Sequence, residues 1–547
     1  MKLNYKRTVF VGFAFFLICA FWQAYDNTIP LILTNKFGLS QTASGAIMAL
    51  DNVLALFMLP IFGAISDRHN SKLGRRTPFI LIGTLVAAIA FVGLSFVDNA
   101  QMRNIASVTD IDSPAALEII YDSEVDATLQ TPEGKEFVLS DVFTREEFVQ
   151  ITSQLTYEGN SGGEAKQLSY PLEDKFTAEE RADAEKHAIG ETFTNPHYTD
   201  YVVPARQAYA WQQTAGNPMT LVFFIALLLL VLVSMAIFRS PAVALMPDVT
   251  IKPLRSKANA VINLMGSAGG ILILVLGMVF STSAVKNSMM SYTVYFSVIA
   301  GIMVLALALF LWQVREPQFV REMREESRRY GIEEDDDENQ SGGRKLSGAE
   351  RRSLCLLLAS IVLWYMGYNA VTSKYSVYAS NILNKDYNLT LIIAQAAAIL
   401  SYLPVGMVSS KLGRKKTILG GIVMLTTAFF VACFLRESSS DLLMNCMFAL
   451  AGIGWATINV NSFPMVVEMC RGGNVGKYTG IYYTASMAAQ TVTPLLSGYL
   501  MDKMGMTALF PYASVFVALA FGTMLFVMHG DNKPTAKRGL EALDVED

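Results

Sequence analysis

Ser71-Lys72-Leu73-Gly74-Arg75-Arg76 returns 339 positions later as Ser410-Lys411-Leu412-Gly413-Arg414-Lys415. Each copy sits between two long apolar segments. One short basic turn in each half of an apolar chain marks a duplicated helical bundle in a membrane. The composition agrees. Of 547 residues, 52% are hydrophobic and 16% charged, with a mean hydropathy of +0.36. A soluble chain carries about a quarter charged residues.

On either side of the two turns, twelve apolar runs in all are expected as membrane helices. They fall near 8–33, 42–66, 77–98, 218–246, 258–281, 290–314, 353–381, 389–409, 416–436, 441–467, 477–500 and 507–529. About 20 apolar residues span a bilayer as helix, and helix satisfies its own backbone groups there. The first run is too long for a signal peptide and is interrupted by Asp26. The fold class is therefore an all-α membrane protein of two pseudo-symmetric six-helix halves. Arg68, Lys72, Arg75, Arg76, Lys411, Arg414 and Lys415 share a side with Lys2, Lys6 and Arg7. By the positive-inside rule that side, with both termini, is expected to face the cytoplasm of a cell membrane.

The expected organisation is helices 1–3 over 1–98, an extracytoplasmic insertion over 99–216 and helices 4–6 over 217–314. A cytoplasmic linker follows over 315–351, then the second half over 352–530 and a tail over 531–547. The linker carries the acidic run Glu333-Glu334-Asp335-Asp336-Asp337-Glu338, a solvated type of segment. The insertion holds 21 acidic and 8 basic residues. Thr144-x-x-Glu147 and Thr177-x-x-Glu180 read as helix capping boxes, Gly190 as a helix stop, and 131–135 as a hairpin turn. A small α+β cap is expected, either an inert solubilising insertion or a lid and docking surface for an extracellular contact.

The five cysteines lie in or beside apolar runs, which suggests no disulfide framework. No metal or nucleophile constellation in the insertion supports an external enzyme, and no phosphate loop supports ATP-driven transport; no enzymatic activity, cofactor or nucleic-acid partner is expected.

The loop Gly63-Ala-Ile-Ser-Asp67-Arg68 with Gly74-Arg75-Arg76 resembles the signature of the major facilitator superfamily between its second and third helices. Gly406 to Lys415 is similar to its weaker copy between the eighth and ninth. The resemblance implies a cytoplasmic gate at Asp67, Arg68, Gly74, Arg75, Arg76, Gly413 and Arg414. Asp248, at the inner end of the fourth helix, is expected to pair there with Arg68 or Arg75.

A narrower resemblance is to the sucrose-transporter group and the glycoside–pentoside–hexuronide:cation symporters. It rests on 66–80, Ser240 to Asp248 with Ala258-Asn259-Ala260, Gly367 to Ala370 with Ser376-Val377-Tyr378, and Gly452 to Ala456. It implies symport of a glycoside with a cation. The sequence departs from the pattern in two places. Plant members have arginine where Val243 stands, the nearest here being Arg239. Melibiose-type members have an acid just before the second-helix proline, where Leu59 precedes Pro60.

Ionisable residues inside membrane helices are functional candidates. Asp26 and Asp51 stand at similar depth in adjacent helices and are the expected cation-coupling pair, loading a proton or sodium. Alternatively each is satisfied by its neighbour, Asn27 or Asn52, or by a structural partner. Arg239 is expected either to hydrogen-bond substrate hydroxyls, to neutralise Asp26, or to pair with an acid near the inner gate. Sugars present an apolar face to aromatic rings and hydroxyls to polar groups. Trp22, Gln23, Tyr25, Asn263, Tyr365, Asn369, Trp455 and Asn459 are the further substrate-binding candidates. The expected function is cation-coupled symport of a disaccharide by alternating access. A drug or metabolite:proton exporter on the same fold remains open, as does a transporter-like receptor using its external domain.

Overall fold

The computed structural model describes residues 3–153, 156–158, 170–178, 181, 192–251, 254–330, 347–468 and 475–530. Among them, ten helices are long and apolar enough to cross a membrane: Tyr5–Asn35, Gln41–Arg68, Thr77–Asn104, Met219–Val249, Val261–Val279, Thr293–Gln313, Gly348–Leu383, Arg414–Ala432, Asp441–Val466 and Met506–Leu525. The expected count was twelve. The run at 389–409 lies in the helix Tyr387–Leu412, but its apolar part, Tyr387–Tyr402, is shorter than a span. The run at 477–500 lies in the helix Val475–Met504, where Thr, Ser and Gln dilute the apolar residues.

The repeat seen in the basic turns reappears in the packing. Tyr5–Asn35 packs on Arg255–Val279 as Gly348–Tyr378 packs on Val475–Met504. Met219–Val249 packs on Thr77–Asn104 and Leu50–Arg68 as Asp441–Glu468 packs on Arg414–Ala432 and Tyr387–Leu412. Thr293–Gln313 packs on Thr77–Asn104 as Leu509–Leu525 packs on Arg414–Ala432. Each half encloses its own apolar core, one built around Phe21, Phe91 and Phe296, the other around Trp364, Phe429 and Phe510.

The two ends of the bundle differ. One carries Tyr5 and the segment after Gln313, and is called here the terminal face. The other carries the insertion. Hydrogen bonds between the halves cluster toward the insertion face. There the short helix Gln41–Met48 lies against Val475–Met504. A Cβ on Gly45 would fall 2.1 Å from the carbonyl oxygen of Pro494, so only glycine allows this approach. Thr282 meets Tyr387 hydroxyl to hydroxyl at 2.7 Å, and the Ser283 hydroxyl donates to Asp386 at 2.9 Å.

The insertion contains the helices Pro114–Glu124, Arg145–Gln150 and Val203–Gly216. Strands Thr128–Gln130 and Glu136–Val138 pair antiparallel, as do Thr156–Glu158 and Thr192–Thr194. Thr144 and Glu147 form the capping box that starts Arg145–Gln150. Glu180 and Gly190 lie outside the described residues. An apolar core of Leu117, Ile120, Phe143, Phe148 and Tyr198 holds the segment together. It also reaches the second half. Met506 donates its backbone N–H to Pro132 at 2.6 Å, and the Thr194 N–H donates to Glu437 at 2.7 Å.

The linker begins as the helix Glu316–Arg329, which is fastened to the bundle. Arg7 donates to Glu322 at 3.1 Å and to the carbonyls of Phe319 and Val249 at 2.7 and 2.9 Å. The acidic run 333–338 and the tail 531–547 lie outside the described residues. The four described cysteines, Cys19, Cys355, Cys433 and Cys446, form no disulfide.

Candidate functional site

A cavity of about 170 Å³ opens between the halves, lined by Trp22 and Asp26 of the first helix, Met48, Asp51 and Asn52 of the second, and Arg239 of the fourth. Asn369, Thr372 and Ser373 line it from Gly348–Tyr378, and Gln490 and Pro494 from Val475–Met504. Trp22, Asp26, Asp51, Arg239 and Asn369 were each singled out from the sequence, and the fold brings these five to one place. Their spacing explains how. Trp22 and Asp26 are four residues apart on one helix face, and so are Asn369 and Ser373.

The chemistry of the lining is polar and charged. Asp51 accepts from the backbone N–H and the side-chain amide of Asn52 at 2.6 and 2.7 Å. The guanidinium carbon of Arg239 lies 5.8 Å from the centre of the Trp22 ring. Arg239 therefore lines the central cavity that Asp26 and Asp51 also line. At the terminal face, Asp248 and Asp67 pair with Arg75 and Arg76, as described below. The Trp22 indole N–H, the Tyr25 hydroxyl and the Asn369 amide nitrogen are buried without a partner. Such donors are costly unless water or a ligand answers them.

The other candidates lie outside the cavity lining. Gln23 accepts from the Gln395 amide at 2.6 Å, a bond that joins the two halves. Tyr25 is buried and edge-on to Trp22. Trp455 stacks on Tyr368 at 3.6 Å with rings 4° apart, and Tyr365 meets its edge at 5.2 Å. Tyr365 and Tyr482 approach hydroxyl to hydroxyl at 3.4 Å. Asn459 is buried, and its carbonyl accepts from the Ser462 hydroxyl at 3.3 Å. Asn263 is half-buried in Arg255–Val279. Gln490, Thr372 and Ser373 were missed. The usable signal was the same as for Asn369, a polar residue inside an apolar run.

At the terminal face the basic turn organises a second cluster. Arg76, buried, donates Nε to Asp248 at 2.9 Å and Nη1 to the Ser66 hydroxyl at 2.5 Å, and pairs through Nη2 with Asp67. Arg75 lies 3.8 Å from Asp248. Asp248 was expected to pair with Arg68 or Arg75, yet Arg76 holds it most closely. Arg68 is exposed at the helix end.

Glu316, 1% exposed, was read from the sequence only as the start of the linker. Its carboxylate accepts the backbone N–H groups of Arg75, Arg76 and Thr77 at 2.7, 3.0 and 2.8 Å, capping Thr77–Asn104 from a distant part of the chain. Gly74 has φ +116°, and a Cβ there would meet a Glu316 oxygen at 2.2 Å. Gly413, φ +92°, starts Arg414–Ala432 in the corresponding turn, where Lys415 donates to the Leu525 carbonyl at 2.9 Å.

Comparison with known proteins places this architecture. The model of the MFS_1 like family matches residues 9–512. The chain is 26% identical over 141 residues to the MFS-type transporter ppzB of Metarhizium rileyi, covering 26% of this chain and 28% of that one. It is 30% identical over 145 residues to the uncharacterized symporter YnaJ of Bacillus subtilis, covering 25% of this chain and 28% of that one. The chain thus spans less than a third of the length of these curated relatives. Among solved structures, the inward-open conformation of the xylose transporter XylE from E. coli aligns over 99% of both chains, with a TM-score of 0.55 and 13% identity.

Proposed function

Because the chain belongs to the MFS_1 like family, we propose that it is a secondary active transporter that carries a small glycoside together with a proton or sodium ion by alternating access. The observation that carries this reading is the single cavity holding Asp26, Asp51 and Arg239 with the amide and hydroxyl groups of Asn52, Asn369, Thr372, Ser373 and Gln490. Two carboxylates against one guanidinium leave the lining one positive charge short. A proton or a monovalent cation supplies it. The amides and hydroxyls match the alternating donors and acceptors of a polyol, and Trp22 offers an apolar ring.

Mechanism follows from the position of the cavity between halves. The contacts at the insertion face, read here as the outer face, hold the cavity closed on that side. Cation loading neutralises the acids and favours the conformation that accepts substrate, a shift of populations set by differential binding. Arg239 and Asn369 then orient hydroxyl groups, and rocking of the halves exposes the site to the other side. At about 170 Å³ the cavity is below the roughly 300 Å³ at which ordinary ligand sites begin. One sugar ring fits it as it stands, and a disaccharide enters only with the halves further apart. The Arg76, Asp67, Asp248 and Glu316 cluster is the proposed gate on the terminal, cytoplasmic face.

The test is substrate-induced pH change in energy-depleted cells expressing the protein, across mono- and disaccharides, with and without sodium. Alkalinisation of the medium with one sugar identifies proton symport. Sodium-dependent uptake without a pH change keeps the sugar and replaces the ion. No response to any sugar, with the protein shown at the membrane, sinks the glycoside reading.

A further inference from the structure

A second pocket lies at the insertion face, separate from the central cavity. Asn35 and Ser288 of the first half, Thr199 and Arg206 of the insertion, and Ser380 and Asn381 of the second half meet around it. Its free volume is about 30 Å³. That exceeds the ~15 Å³ one water requires and leaves room for one small ion.

Arg206 sets its chemistry. The residue is 2% exposed. Its Nη1 donates to the Tyr198 hydroxyl at 2.5 Å, and its guanidinium carbon lies 5.4 Å from that ring's centre. Its Nε and Nη2 are buried without a partner. No ion pair among the described residues includes it. The Thr199 hydroxyl and the Asn381 amide nitrogen are likewise buried and unanswered. The side-chain oxygen of Asn35 already accepts from Gln207 at 3.0 Å. Asp110 and Asp112, whose charges reach Tyr198, are exposed, and solvent screens them.

A buried guanidinium without a counter-charge is costly, and unanswered donors from the insertion and from the second half beside it describe an anion's coordination shell. A water molecule answers the donors but not the charge. We propose that this pocket binds one small inorganic anion of halide size, chloride where the medium contains it. Because the insertion and both halves line the pocket, the complete site exists only while the insertion face is closed. The bound anion stabilises that conformation by linkage.

The experiment is thermal unfolding of the full-length protein in detergent, titrated with chloride at constant ionic strength against gluconate, with bromide and sulfate as further arms. The expected result is a saturable rise in Tm with chloride and bromide that is larger than any rise with sulfate. Arg206→Gln should abolish the rise, and Asn381→Ala should weaken the apparent halide affinity several-fold. No rise, an equal rise with every anion, or a rise that persists in Arg206→Gln overturns the proposal. Should Arg206→Gln fail to fold, the pair Thr199→Val and Asn381→Ala decides. Halide response unchanged in both overturns the site, and response lost or weakened in both supports it. None of these readouts depends on transport.

Discussion

Lys374, fully buried in the second half, donates its ammonium group to the backbone carbonyl of Gln41 in the first at 2.7 Å. Asp502 completes the junction. It accepts the N–H groups of Gln41 and Thr42, each at 2.7 Å, and the Thr42 hydroxyl at 2.5 Å. A cation and an anion of one half thus grip the first turn of a helix in the other. The grip closes the insertion face.

Asp502→Asn should loosen that latch. Hydrogen bonds to a charged group contribute about 1.5–3 kcal/mol, so the ratio of closed to open states should fall about ten- to a hundredfold. Spin labels at Asn104 and Lys503, in a background without native cysteines, report the separation of the halves. An unchanged distance distribution would show that Asp502 does not hold the face shut.

Asp26→Asn and Asp51→Asn each leave a similar shape in the cavity and remove a charge. Concentrative uptake should drop about tenfold or more, while substrate exchange across the membrane without a gradient persists. If both variants concentrate substrate as the parent does, the two acids do not carry coupling.

Glu316→Gln weakens the acceptor that caps Thr77–Asn104, at a cost of roughly 1–3 kcal/mol. Gly74→Ala places a methyl group 2.2 Å from the same carboxylate and should cost a similar amount. Since both act on one contact, the double variant should lose less Tm than the two losses added. Full additivity would mean the contacts are independent.

His197, buried in the insertion among Phe143, Phe176 and Tyr170, has its pKa pushed down from 6.5 to about 4. Burial is the main cause. Lys175 nearby lowers it further, while a backbone hydrogen bond and Asp174 pull it upward. Between these values the unfolded chain binds a proton that the folded chain does not. Stability is therefore fully present above about pH 6.5 and falls as pH drops toward 4, by roughly 3 kcal/mol in all. His197→Phe should flatten the pH dependence of Tm across that window. A slope equal to the parent's would assign the pH dependence to other groups.

Local signals in the sequence were sufficient for the apolar helices and the two-half organisation. The basic turns at 71–76 and 410–415 mark equivalent points of halves whose helices pack in matching pairs. Trp22, Asp26, Asp51, Arg239 and Asn369 were legible as candidates because polar and aromatic side chains inside apolar runs are conspicuous, and the fold gathers them around one cavity. Hydropathy and spacing report only what lies within a few turns along the chain. They do not say which side of a helix meets which neighbour.

Tertiary structure decided the rest. Glu316 bonds to amides some 240 positions away, and nothing in Arg315-Glu316-Pro317 announces this. Asp248 keeps the expected Arg75 at 3.8 Å, but Arg76 holds it more closely, at 2.9 Å, which no spacing along the chain foretells. Arg206 reads as an ordinary charge on a polar helix until two membrane halves close over it. Composition determines that a chain partitions into lipid as helices, since that is a sum over residues. Which charges are buried, and what answers them, depends on how the helices pack against one another.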